Sequence, residues 1–469
     1  MAQTQDIIWM GAVELAKAIK EGKLSPVDVV QAFLNRIHRV NLELNAFITL
    51  TEERAKKEAE FAEKAVKSHK KLGPLHGVPV AIKDNIPVNG SRTTYGSKLY
   101  QYNVSNVDSV VVERLVKAGA IILGKTNMPE FGLVAITDNP LFGPTRNPWD
   151  TRKTPGGSSG GSAVAVAAGM SPIAIGSDGA GSIRIPCNFC GVFGLKPHLG
   201  RVPIYPTLPG WESMLVEGPI TRTVADTALV MDVISGPSHR DYLSLPASGV
   251  SYLKNLDDFK KKKFAFSPDL GYAVIEKEVG NIIEKAAFSF EDLGCDVKEV
   301  KLDLINMAPD FVAQLASETV AAFGNRIEEW KKVAFPNYLD FLSVADNLKA
   351  TDYVKIQYHR KGLWEQVRQV FEKYDFLITP ITGIPAFDSS LGLGPSEIDG
   401  QPLGDKGWTL TAPFNFTHQP AAAVPCGFTK DKLPVGLQIV GDRFNELGVL
   451  QASRAFEKAF PWRDNKPPI

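Results

Sequence analysis

Cysteine is scarce in this sequence: four in 469 residues, at positions 187, 190, 295 and 426. So sparse a set excludes a disulfide framework and points to a reducing compartment, so a cytoplasmic location is expected. Net charge is missing as well. Lys plus Arg and Asp plus Glu both number 52, which leaves no electrostatic case for nucleic acid or an anionic membrane surface as partner. Long hydrophobic runs are absent. The longest, residues 163–176, contains Ser171 and Pro172 and is too short and broken to span a bilayer. The apolar residues 7–15 are interrupted by Glu14 and follow no basic stretch, so no targeting segment is expected. Internal repeats and low-complexity linkers are absent too. Histidine is limited to seven residues, none in a loop that marks it as a catalytic base. What remains is an ordinary globular composition, 44% hydrophobic and 22% charged, with ample length for a large core.

Glycine and serine, by contrast, cluster twice, at residues 156–162 (GGSSGGS) and 176–182 (GSDGAGS). Between them lie an apolar segment expected to be helical over 163–169 and a buried strand over 172–176. Such loops let several backbone N–H groups converge on one point, as a developing oxyanion requires. Upstream, Val78, Val80 and Ile82 alternate as in a strand, which puts Lys83 on the opposite face at its end. Two readings of Lys83 stand: a snorkelling edge-strand lysine, or a buried neutral lysine acting as a base, its pKa lowered by lost hydration.

Two short patterns fail on context. Residues 119–126 match G-x-x-x-x-G-K-[ST] letter for letter, but a helix precedes them and residues 120–123 read as the strand itself, whereas a phosphate loop follows a strand and opens a helix. Residues 157–161 fit the G-x-S-x-G nucleophile elbow, but a polar, proline-bearing stretch precedes them where a strand is needed. Cys187 and Cys190 have C-x-x-C spacing, which is one pair and not four ligands. Elsewhere, periodicity predicts helices through residues 11–69, over 107–117 and over 222–235. Strands are expected at 264–266, 375–380 and within 408–427 and 433–441. Residues 240–370 read as more helical, more charged and free of motifs.

Taken together, GVPVAIKD ending at Asp84, GGSSGGS, and the run DGAGSIRIP from Asp178 to Pro186 resemble the amidase signature family. GKTNMPEF ending at Phe131 and PVGLQIVG ending at Gly441 extend the resemblance from about residue 10 to 460, weakest across 240–370. The resemblance implies an α/β fold, an α/β/α sandwich around a large mixed sheet. It implies a single domain over 1–469, with a helical N-terminal segment (1–70) and a variable substrate-side region (240–370). It implies a Ser–cis-Ser–Lys triad of Ser182, Ser158 and Lys83, with a cis peptide at Ser158. Ser182 would attack the amide carbonyl, Ser158 would take its proton and pass its own to neutral Lys83, and the relay would reverse to protonate the leaving amine. The N–H groups of Gly179, Ala180, Gly181 and Ser182 would hold the oxyanion, each such donor being worth roughly 3 kcal/mol of barrier. Asp178 and Arg184 would brace the loop and Ser159 would support it, while Ser162 could cap the following helix.

Three positions depart from or refine the family pattern. Ala180 stands where glycine is usual, so its methyl would restrict the loop or narrow the pocket. His418 stands where glycine is common and either lines the pocket or makes a structural hydrogen bond. Ile185 replaces the glutamine typical of the A component of the tRNA-dependent amidotransferase, which points away from that branch. No metal or organic cofactor is expected. The expected partner is a small amide or carbamate substrate, with a homodimer left open. The expected reaction is hydrolysis of hydrophobic or aryl amides. The alternatives are a urethanase or nylon-oligomer hydrolase, an amidotransferase subunit, or a silent binding protein on the same fold.

Overall fold

The computed structural model describes residues 6–208, 210–211, 213–404 and 407–469. Its strands are β1 (Phe47–Leu50), β2 (Pro79–Lys83), β3 (Ile121–Thr126), β4 (Ile173–Asp178), β5 (Phe193–Lys196), β6 (Val216–Thr221), β7 (Lys263–Phe266), β8 (Asp296–Glu299), β9 (Phe376–Pro380), β10 (Glu397–Ile398), β11 (Gln401–Pro402), β12 (Ala421–Phe428) and β13 (Pro434–Gly441). Eleven of them form one mixed sheet in the order β1-β3-β2-β4-β6-β5-β12-β13-β9-β7-β8, and β10 pairs with β11 as a separate two-residue ladder. The sheet and its flanking helices make the mixed α/β architecture expected.

β2 is flanked in parallel by β3 and β4. All three are buried throughout, which explains their near-continuous apolar sequences. Lys83 therefore ends an interior strand and not an edge. At the other end of the sheet, alternation sorts side chains onto two faces. Phe264, Phe266, Ile378 and Ile439 pack with Ile283 and Phe456 in the main core. Ala265, Leu377 and Val440 pack with Leu363 and Val367 of the long helix Ala350–Phe371 in a second cluster.

Several expectations need correction. Residues 11–69 are not helical throughout: β1 interrupts them and pairs antiparallel with β3. Within residues 240–370 the strand expected at 264–266 is present as β7, and a further strand, β8, follows the helix Lys277–Phe288 before the mainly helical stretch from Ala308. The helix after the first glycine–serine cluster begins at Gly160, so Ser162 lies within it and caps nothing; its hydroxyl bonds Thr126 Oγ1 (2.7 Å).

The phosphate-loop look-alike resolves into a strand. Lys125 is fully buried in β3, donating to Thr93 Oγ1 (2.9 Å) and Asp84 O (3.2 Å) and standing 3.6 Å from Asp84 Oδ1. Asp84 Oδ2 in turn accepts from Thr94 N (3.0 Å) and Thr94 Oγ1 (2.5 Å). Removing one member of such a buried pair strands the other. Lys125→Ala is expected to lower unfolding free energy by about 3–5 kcal/mol in urea titrations, and ATP should not raise the melting temperature of the unmutated protein.

Candidate active site

The site forms where β2 and β4 end side by side. Lys83 is completely buried. Its Nζ donates to Ser158 Oγ (2.6 Å), Ser177 Oγ (2.9 Å) and Ser177 O (3.3 Å). Asn85 Nδ2 also donates to Ser177 Oγ (3.1 Å). Burial pulls the amine's pKa down to about 7, although Asp178 and Glu217 oppose it. An amine so placed is readily neutral and can then accept the Ser158 proton through its lone pair.

Ser158 follows a cis Gly157-Ser158 peptide and is 2% exposed. Gly132 lies against it, since a β-carbon there would stand 3.3 Å from Ser158 Oγ. Ser159 fastens this loop to β4. Its hydroxyl donates to Ser177 O (3.1 Å) and accepts from Ser177 N (3.2 Å), and its N–H donates to Ser182 O (3.0 Å). The Ser158 and Ser182 loops are thus joined through the backbone. Among the described residues, no hydrogen bond links the two hydroxyls, and Ser182 is left facing a cavity. Contacts of this kind tighten when substrate occupies the site.

Asp178 and Arg184 hold the Ser182 loop as a buried bidentate pair, with Nε–Oδ2 3.0 Å and Nη2–Oδ1 2.9 Å. Burial works to raise the Asp178 pKa, but the charge and hydrogen bonds of Arg184 outweigh it and keep the carboxylate well below its usual range. Arg184 reaches further, donating to Gln438 Oε1 (2.7 Å), Thr411 O (2.9 Å) and Asn415 Oδ1. Asn415, Thr411 and Gln438 carry no catalytic sequence pattern, which is why sequence reasoning missed them; Ser177 sat unremarked inside the second glycine–serine cluster.

The four expected oxyanion donors divide. The Gly181 N–H donates to Asp178 Oδ1 (2.7 Å), so it serves loop bracing and not anion binding. Among the described residues, the N–H groups of Gly179, Ala180 and Ser182 have no protein acceptor. Ala180 does not strain the loop, because it avoids the positive-φ region. It lines the cavity, so its methyl narrows the pocket.

The cavity has a volume of about 150 Å³. Leu133, Val134, Ile185, Trp211, Met307 and Phe311 supply much of its apolar wall, with Asn306 and Thr409 as polar points. Trp211, which sequence reasoning missed, donates from Nε1 to Phe131 O (3.0 Å) and packs onto Gly179. His418 is not part of this wall. It adopts φ +66°, sits edge-on to His198 at 5.7 Å and bonds Arg360; burial, then Arg360, lowers its pKa to about 2. The structural reading of His418 replaces the pocket reading. Cys187 and Cys190 lie buried in the helix Arg184–Cys190, where burial pushes both thiols up. Among the described residues, no three His, Cys, Asp or Glu side chains gather as metal ligands, and no helix is long and apolar enough to cross a membrane.

Against known proteins, the family model described as Amidase matches residues 28–450. The chain belongs to the amidase signature family. It is 37% identical to an acylamidase of Rhodococcus erythropolis over 99% of this chain and 98% of that protein. It is 38% identical to the A component of the glutamyl-tRNA(Gln) amidotransferase of Geobacillus thermodenitrificans (strain NG80-2), covering 97% of this chain and 98% of that one. Among solved structures it superposes on a bacterial aryl acylamidase with TM-score 0.92 at 31% identity, covering 97% of each chain. A 6-aminohexanoate cyclic dimer hydrolase complexed with substrate matches with TM-score 0.86 at 28% identity, over 98% of this chain and 99% of that one. Family and neighbours make the chain an amide-hydrolysing enzyme.

The packing of the amidase loop gives a direct test. A β-carbon on Gly179 would stand 2.2 Å from the Trp211 ring. Gly179→Ala should therefore displace the loop and cut amide hydrolysis about a hundredfold or more, and adding Trp211→Ala should restore part of kcat.

Proposed function

We propose that this amidase hydrolyses hydrophobic or aryl carboxamides through an acyl-enzyme on Ser182. The observation that carries the reading is a fully buried Lys83 amine 2.6 Å from Ser158 Oγ, with Ser182 at the wall of an apolar cavity. Lys83 accepts the Ser158 proton, Ser158 accepts that of Ser182, and Ser182 Oγ bonds the carbonyl carbon. The oxyanion settles on the N–H groups of Gly179, Ala180 and Ser182. The proton then returns along the same path to the leaving nitrogen, the C–N bond breaks, and water enters by the same relay to release the acid. A cavity of about 150 Å³ has room for one aromatic ring. Tyr272, Asn306, Met307, Ala308 and Phe311 contribute to it, which supports a substrate-side role for 240–370 within one amidase domain. The four unpaired cysteines support a cytoplasmic location.

The likeness to the 6-aminohexanoate cyclic dimer hydrolase favours a second reading, in which oligomeric amides or carbamates use the same triad. The amidotransferase relatives support a third, a subunit that works only with a partner. Turnover of p-nitroacetanilide and benzamide by the isolated chain decides against the obligate subunit, and hydroxylamine capture of the acyl group tests the acyl-enzyme.

Ser182→Ala should abolish turnover. Ser158→Ala and Lys83→Ala should each cost several orders of magnitude, and the double variant little more than either single one. Because the base form of Lys83 is required, kcat/KM should fall as pH drops below about 7 and plateau above it; an acid limb that survives Lys83→Ala unchanged would assign the limb to another group.

A further inference from the structure

β6 is buried along its whole length, and Val216, Gly218, Pro219 and Ile220 suit that setting. Glu217 does not. It is 3% exposed, and its Oε2 has no hydrogen-bond partner among the described residues. An unsatisfied buried carboxyl is costly. The sheet register says what it stands beside: Glu217 lies directly opposite Ser177 of β4, and opposed residues of an antiparallel pair share a face with β-carbons about 5 Å apart. Ser177 is the residue whose hydroxyl and carbonyl receive Lys83 Nζ. An unpartnered acid therefore sits one cross-strand step from the corner that holds the amine.

We propose that Glu217 is a positioning residue of the Ser–Lys machinery, whose charge, acting across the Ser177 corner, sets how tightly Lys83 holds a proton. The proposal rests on Lys83 being the base, as above, and adds what tunes it.

The surrounding charges are few. Lys83 acts from β2, and Asp178 from the end of β4, where Arg184 engages it. Asp241 acts from the segment 238–246, its carboxylate accepting from Ile204 N and Leu243 N. On β5, Lys196 Nζ donates to Pro197 O. On the helix Val224–Ile234, Asp226 accepts from Val13 N. Burial first, then Asp241, pushes Glu217 up to about 8 against the pull of Lys83, so acid and amine titrate in the same range and act as a coupled pair. A neutral Glu217 leaves the amine alone. An ionised one favours the ammonium and raises the pH at which Lys83 becomes a free base.

The test follows the ¹³Cε resonance of Lys83 against pH in ¹³C-lysine-labelled protein, with Lys83→Ala assigning the signal. Glu217→Gln cannot ionise, so Lys83 should titrate lower by roughly one unit and in a single step, and the acid limb of kcat/KM on an anilide should move with it. Asp241→Asn removes the charge that adds to burial in raising Glu217, so Glu217 should ionise at lower pH and Lys83 titrate higher; this variant also serves if Glu217→Gln fails to fold. A Lys83 midpoint unchanged in the folded variants overturns the proposal, whether or not the anilide is a substrate. Turnover that persists in Lys83→Ala overturns the acyl-transfer reading instead.

Discussion

The structure depends on an amine kept out of water. Lys83 ends an interior strand, and burial destabilises its ammonium more than its free base. Every neighbouring feature is arranged around that cost. The parallel packing of β2 between β3 and β4 removes solvent, and Ser177, Ser158 and Asn85 occupy the polar positions that remain. A lysine at an edge strand would keep its hydration and its positive charge, and could not accept a proton from a serine near neutral pH.

The acidic side of the site is organised in the opposite sense. Asp178 is as buried as Lys83 yet stays ionised, because Arg184 neutralises it and Gly181 N, Ile183 N and Asn415 Nδ2 supply further hydrogen bonds. Through Arg184 the pair also reaches Thr411, Asn415 and Gln438. The loop bearing Ser182 is therefore braced from β13 and from the helix Pro413–Phe416, elements more than two hundred residues later in the chain. Such long-range bracing is how a glycine-rich loop keeps a fixed shape despite its conformational freedom.

Much of this was legible in the sequence, for physical reasons. The strand preceding Lys83 and the two glycine–serine clusters are local patterns, and local patterns survive without a partner in view. The phosphate-loop pattern at 119–126 fails on equally local grounds, since a helix precedes it and its apolar residues form the strand β3. What stayed hidden was long-range. Trp211 meets Gly179 only in the folded chain. For His418 the sequence left a pocket role and a structural hydrogen bond both open, and only the folded chain shows its ring against His198 and Arg360. The strand β1 was lost inside a helical reading because its four residues, Phe47–Leu50, carry no alternation and are too few to outweigh the helices on either side.

The division of labour along the chain has a mechanistic consequence. Lys83, Ser158, Ser177 and Ser182 all come from residues 79–182, on adjacent strands and the loops that leave them. The far wall of the cavity comes from Tyr272, Met307, Ala308 and Phe311, carried on segments that pack by their own apolar clusters against the sheet's second face and the aromatic group around Phe131 and Trp330. The Lys83–Ser158 hydrogen bond and the far wall of the cavity therefore rest on different packing interactions. Changes of size at Met307 or Phe311 alter what fits beside Ser182 without touching the hydrogen bonds of Lys83.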